Sequence, residues 1–143
     1  MKEYQSLSHA RWDCKYPVVF IPKRRKKRIF GTLRKQLKEI LHELATHKGA
    51  TIVEGYLMPD HIHMCISIPP KNAVSNVVGY LKGKSAITIA RQFGGRTKNF
   101  TGESFWARGY FVSTVGLDEA MVRAYIRNQE QDDARYDQMK LGV

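Results

Sequence analysis

The chain has 143 residues, is 43% hydrophobic, and carries 24 lysines and arginines against 13 acidic residues, for a net charge of +11. Length and apolar content give a single domain over 1–143 with a core of its own, and the charge selects a polyanionic partner, nucleic acid ahead of an anionic membrane surface. No stretch is apolar enough to span a bilayer, the opening MKEYQSLSHARWDCKY lacks a signal-peptide core, and Cys14 and Cys65 are too few for a disulfide framework or a four-cysteine zinc site. A cytoplasmic protein with free thiols is expected.

In chain order, RWDCKYPVVFI, from Arg11 to Ile21, is rich in aromatic and β-branched residues and predicts a strand. It leads through Pro22 into six consecutive cations, Lys23 to Arg28. Leu33, Leu37, Ile40, Leu41 and Leu44 then recur at helical spacing, with Thr32 as candidate N-cap and Gly49 as candidate stop. ATIVEGYL predicts a strand, MPD a turn and HIHMCISI a second strand, close enough in sequence to form an antiparallel hairpin. Val74, Val77, Val78 and Leu81 open a helix that continues to Phe93, weakened slightly by Gly79 and Gly83. SFWARGYFVSTV predicts another strand, Gly116 a hinge, and LDEAMVRAYIRNQEQDD a last helix capped by Asp118. The order is strand, helix, strand, strand, helix, strand, helix. That is an α+β fold of the ferredoxin-like (split βαβ) kind: an antiparallel sheet with helices packed on it, plus a C-terminal helix.

The hairpin raises a chemical question. Strand side chains alternate in direction, so His61 and His63 share one face while Ile62 points to the other. Two imidazoles on a rigid surface make half of a metal site, although two half-exposed histidines with no ligand would fit the pattern as well. Cys65 follows on the same face and raises a His-His-Cys zinc site, but MCISI continues an apolar run in which a lone cysteine behaves as a small hydrophobe. The last helix offers Gln129, whose amide oxygen is a hard ligand suited to Mg²⁺ or Mn²⁺, and Tyr125 one turn before it. A phenol with a pKa near 10 needs a cation or base close to its target before it becomes a nucleophile at neutral pH. Val122, Tyr125 and Ile126 would serve equally as an ordinary core stripe.

YLMPDHIHMCISIPP, YLKGKSA, FWARGYFVSTVG and YIRNQE, in that order, resemble the single-tyrosine HUH transposases (TnpA type) of the smallest bacterial insertion sequences. The similarity runs from KYPVVFIPKRR to the last helix. It implies that His61 and His63 bind a divalent metal, that Gln129 completes the site, and that Tyr125 on the C-terminal helix attacks DNA. It further implies recognition of subterminal hairpins in single-stranded DNA, a 5′-phosphotyrosine intermediate with a free 3′-OH, strand exchange without ATP, and a homodimer in which the last helix can serve the partner's histidines. Cys65 stands where relatives commonly carry an aliphatic residue, which favours the buried reading.

Under that resemblance, Lys23, Arg24, Arg25, Lys26, Lys27 and Arg28, together with Lys82, Lys84 and Arg91 on the second helix, are the expected phosphate contacts. Phe105 and Trp106 are core residues before they are base-stacking ones. Two alternatives stay open: a domesticated HUH endonuclease acting on repeated chromosomal hairpins, and a non-catalytic nucleic-acid-binding module on the same scaffold. A carboxylate-triad transposase needs three acidic residues around paired metals, and no such pattern stands out.

Overall fold

The computed structural model describes residues 5–7, 10–23, 29–93 and 105–141. Its main sheet has four strands: β3 (Lys15–Phe20), β4 (Thr51–Met58), β5 (His61–Ser67) and β6 (Phe111–Val112), after a small separate hairpin of β1 (Gln5–Leu7) and β2 (Ala10–Trp12). The order across the main sheet is β4-β5-β3-β6 and every pairing is antiparallel. With α1 (Gly31–His47) between β3 and β4, and α2 (Val74–Phe93) between β5 and β6, this is the expected ferredoxin-like arrangement. A third helix, α3 (Glu119–Leu141), extends it.

Alternation in the strands decides what each face of the sheet meets. Val18, Phe20, Ile62, Met64 and Ile66 are essentially fully buried and pack with Leu37, Leu41, Val77, Val78, Leu81 and Ile89 of α1 and α2. Each such side chain, moved out of water, contributes about 1.5–3 kcal/mol. Leu37, Leu41, Leu44 and Ala45 repeat at helical spacing, so one stripe of α1 enters the core and the rest stays wet. Gly49, with φ +69, ends the helix in the left-handed conformation that glycine adopts without strain.

Four sequence expectations shift in detail. Thr32 is not the cap of α1: the helix begins at Gly31 and Phe30 occupies the N-cap position without a side-chain hydrogen bond. The strand expected from Arg11 to Ile21 is broken at Asp13 and Cys14, because β2 turns aside to pair with β1 and only β3 enters the main sheet. The strand expected over SFWARGYFVSTV shrinks to Phe111–Val112 plus an isolated bridge between Pro22 and Trp106. There the carbonyls of Ala107 and Gly109 accept from the Lys82 ammonium instead of a neighbouring strand, and Gly109, at φ +74, turns the chain out of extension. The last helix continues well beyond Asp133, to Leu141.

Candidate active site

The second face of the sheet carries the histidines. Across β4 and β5 the register pairs Tyr56 with His63 and Met58 with His61; across β3 and β5 it pairs Val19 with His63. Directly opposed residues point to the same side, so Tyr56, Met58, Val19, His61, His63 and Cys65 share one surface. Ile62, Met64 and Ile66 alternate with them into the core and hold β5 rigid behind the imidazoles.

Helix α3 covers part of that same face. Val122 and Ile126 pack with Val19, Ile21 and Ala107, and Phe111, Leu117 and Tyr125 border this second cluster. Asp118 sets the start of the helix, its carboxylate accepting from the Met121 backbone N–H at 2.8 Å. Between the first turns of α3 and the imidazoles opens a pocket of about 880 Å³, lined by Tyr56, His61 and His63 on the sheet side and by Glu119, Arg123 and Arg127 on the helix side. Glu119 and Arg123 form an ion pair one turn apart at 2.6 Å.

The two imidazoles are held differently. His61 Nδ1 lies 2.9 Å from Asp60 Oδ1. An ionised carboxylate only accepts, so the ring proton sits on Nδ1 and the Nε2 lone pair is left for another partner. Burial pulls the pKa of His63 below the ordinary histidine value, His61 adds to the effect, and Glu54 opposes it. The lowered value favours the neutral, ligand-competent form of the His63 ring. Cys65 is half-buried, and burial, reinforced by Glu54 and opposed by Lys15, pushes its thiol up. That disfavours the thiolate a zinc site would require. Among the described residues, no three His, Cys, Asp or Glu side chains cluster in a metal-binding group. A cation on the imidazole pair therefore needs a donor of another type, such as an amide, or one from elsewhere.

Tyr125 and Gln129 lie on the helix that faces the histidines but do not line the pocket. The Tyr125 ring packs against Phe111, with centroids 5.9 Å apart, and its hydroxyl oxygen is buried. Gln129, one turn later, is 8% exposed. At about 100° per residue, Tyr125 is turned by roughly 160° from both Arg123 and Arg127. Gly116 precedes α3 with open space around it and no left-handed backbone, so neither sterics nor conformation demands glycine there.

The expected phosphate contacts separate into three groups. Lys84 and Arg91 are exposed on α2, and Lys23 is half-buried. Lys82 is turned inward, with its ammonium donating to the carbonyls of Ala107 and Gly109. Arg24, Arg25, Lys26, Lys27 and Arg28 lie outside the described residues. Phe105 and Trp106 are buried, stacked edge to face with each other, and Trp106 donates to the buried Ser85 hydroxyl at 3.0 Å. They are core residues. Sequence reading passed over Asp60 as an orienting group and Tyr56 as a wall of the site. The signal for Tyr56 is the hairpin register, which puts Tyr56 and Met58 on the same side as His63 and His61; the signal for Asp60 is its place in the turn directly before His61.

A ferredoxin-like sheet with a histidine pair under a C-terminal helix defines the class to which the chain is to be compared. The family model described as "Transposase IS200 like" matches residues 10–129. The transposase for insertion sequence element IS200 of Salmonella typhimurium (strain LT2) is 41% identical over 141 residues, covering 99% of this chain and 93% of the relative. The ISDra2 transposase TnpA of Deinococcus radiodurans is 27% identical, covering 85% of this chain and 88% of its own length. Among solved structures, a candidate transposase from Deinococcus radiodurans R1 superimposes with a TM-score of 0.74 at 26% identity, over 90% of this chain and 98% of that one. A REP-associated tyrosine transposase bound to a REP hairpin superimposes with a TM-score of 0.54 at 13% identity, over 88% of this chain and 68% of that one. The chain belongs to the IS200-like transposase family, as the motifs implied. No helix among the described residues is long and apolar enough to cross a membrane.

Proposed function

We propose that this transposase cuts and rejoins single-stranded DNA at the ends of its insertion sequence, using Tyr125 as nucleophile and recognising hairpins near those ends. The observation that carries the reading is the shared sheet face: His61 and His63 look into a pocket whose opposite wall is the helix bearing Tyr125 and Gln129. The donor set fits a hard divalent cation, Mg²⁺ or Mn²⁺, with two imidazole nitrogens from His61 and His63 and an amide oxygen from Gln129. When bound, such a cation would supply Lewis-acid polarisation of the scissile phosphate.

The chain's own residues perform the remaining steps. Asp60 fixes the His61 tautomer and presents Nε2. The Tyr125 oxygen loses its proton and attacks phosphorus, the 3′ oxygen leaves, and the products are a 5′-phosphotyrosine and a 3′-OH. That 3′-OH attacks a phosphotyrosine in the rejoining step and displaces the phenol, so one phosphoester replaces another and no ATP is consumed. Neither Tyr125 nor Gln129 lines the pocket of its own chain, so the reading includes either a rotation of α3 that brings both to the histidines or a homodimer in which α3 of one chain serves the histidines of the other.

Hairpin recognition is supported by the fold shared with a tyrosine transposase whose structure holds a REP hairpin. Identity of 41% to an IS200 transposase, against 13% to that REP-associated protein, favours an insertion-sequence substrate over dispersed chromosomal hairpins. The test incubates the protein with single-stranded oligonucleotides spanning the DNA on either side of its gene, with Mg²⁺ or with EDTA. Cleavage of an oligonucleotide from one element end, abolished by EDTA, is expected. Cleavage that persists unchanged in EDTA overturns the metal assignment, and binding with no cleavage under any divalent cation overturns the enzymatic one.

A further inference from the structure

The exposed aromatic on the sheet wall of the pocket has no part in the chemistry above. Tyr56 is opposite His63 in the β4–β5 register, its ring centroid is 6.0 Å from the imidazole at a tilt of 49°, and it is 55% exposed. An aromatic side chain left this open on a sheet forgoes its hydrophobic contribution unless a ligand covers it. Across the pocket stand Arg123 and Arg127. The acidic groups on the walls are engaged: Glu119 with Arg123, Asp60 with His61, and Asp118 with the α3 backbone. At about 880 Å³ the space is within the roughly 300–1,000 Å³ of small-ligand sites and admits a nucleotide.

An aromatic face beside cationic groups is the arrangement that binds single-stranded nucleic acid, with the base stacked on the ring and the backbone against the charges. We propose that Tyr56 is the stacking platform for a nucleobase flanking the scissile phosphate, and so positions that phosphate on the His61–His63 pair. The inference rests on the single-strand cleavage reading and deepens it. Stacking of this kind tolerates any base but requires one, because every base has a π-face and an abasic sugar has none.

The experiment is a cycle between protein and substrate. Tyr56→Ala and Tyr56→Phe are compared with the parent on an element-end oligonucleotide and on copies with one abasic site walked through the positions flanking the cut. Tyr56→Ala raises KM for DNA by about ten-fold, the factor that one lost stacking contact implies, and the loss falls on KM more than on kcat. Tyr56→Phe restores the parent value. One abasic position weakens the parent by a similar factor and leaves Tyr56→Ala unaffected.

Equal abasic effects in the parent and Tyr56→Ala overturn the proposal, as does a Tyr56→Phe protein as weak as Tyr56→Ala. A change in sedimentation of Tyr56→Ala overturns it too, by making the residue a contact between copies of the chain. If the parent binds the oligonucleotide without cutting it, the cleavage reading fails separately, and the same cycle, read by equilibrium binding, still decides the role of Tyr56.

Discussion

His61 donates its Nδ1 proton to the carboxylate of the residue before it, Asp60, at 2.9 Å, so the last residue of a hairpin turn orients the first residue of the strand that follows. This pairing makes Asp60 a positioning residue. Asp60→Ala should weaken Mn²⁺ binding by about 10–100-fold, the usual cost of removing such a partner. Calorimetric titration of the DNA-free protein with Mn²⁺ measures this directly, and unchanged affinity would mean that the carboxylate does nothing for the ring.

His63 is expected to serve the cut and not the grip on DNA. His63→Ala should abolish cleavage while leaving hairpin affinity within about two-fold, since phosphate contacts by lysine and arginine supply sequence-independent affinity. Gel-shift and cleavage assays on the same oligonucleotide separate the two. A folded His63→Ala protein that no longer binds would contradict this division.

The Asp118 cap fixes where α3 begins, and hence which of its residues face the pocket. Asp118→Ala should cost about 1 kcal/mol of stability, with Asp118→Asn close to the parent, because asparagine caps nearly as well. Denaturant unfolding of the three proteins checks the ranking.

Lys82 gives a pH dependence with a definite sign. Burial lowers its pKa from 10.5 to about 8, against the pull of two carbonyl acceptors that favour the ammonium. The unfolded chain holds this proton up to pH 10.5, whereas the folded chain releases it above about pH 8. The cost of the buried charge is therefore fully present below pH 8 and is relieved as pH rises toward 10.5. The stability of the parent relative to Lys82→Met should shift in the parent's favour across that interval. A flat difference would mean that the two carbonyls fully offset the burial.

The hairpin, α2 and the Asp118 cap were legible because each rests on local chemistry: alternation on either side of a Met-Pro-Asp turn, a helical apolar stripe, and an acidic side chain before a helix. What escaped was decided by distant partners. Residues 105–110 look like a strand, but Trp106 bonds Ser85 and the carbonyls of Ala107 and Gly109 bond Lys82, both on α2. Lys82 itself, read as a surface cation, is tied down by the same contacts. The break after Trp12 depends on pairing with β1, which composition did not reveal. The residues assigned to the site are named by motif, but the facing of Tyr125 toward Phe111 is set by packing on Val19 and Ile21, which no local pattern encodes.

The most direct test of the central claim is the identity of the residue joined to DNA. After reaction with element-end single-stranded DNA and Mg²⁺, the SDS-resistant adduct is digested and the nucleotide-bearing peptide is sequenced by mass spectrometry. The account predicts a 5′-phosphate ester on Tyr125, and no adduct from Tyr125→Phe. A nucleotide on Tyr110 or Tyr136, or an adduct formed equally by Tyr125→Phe, would contradict it.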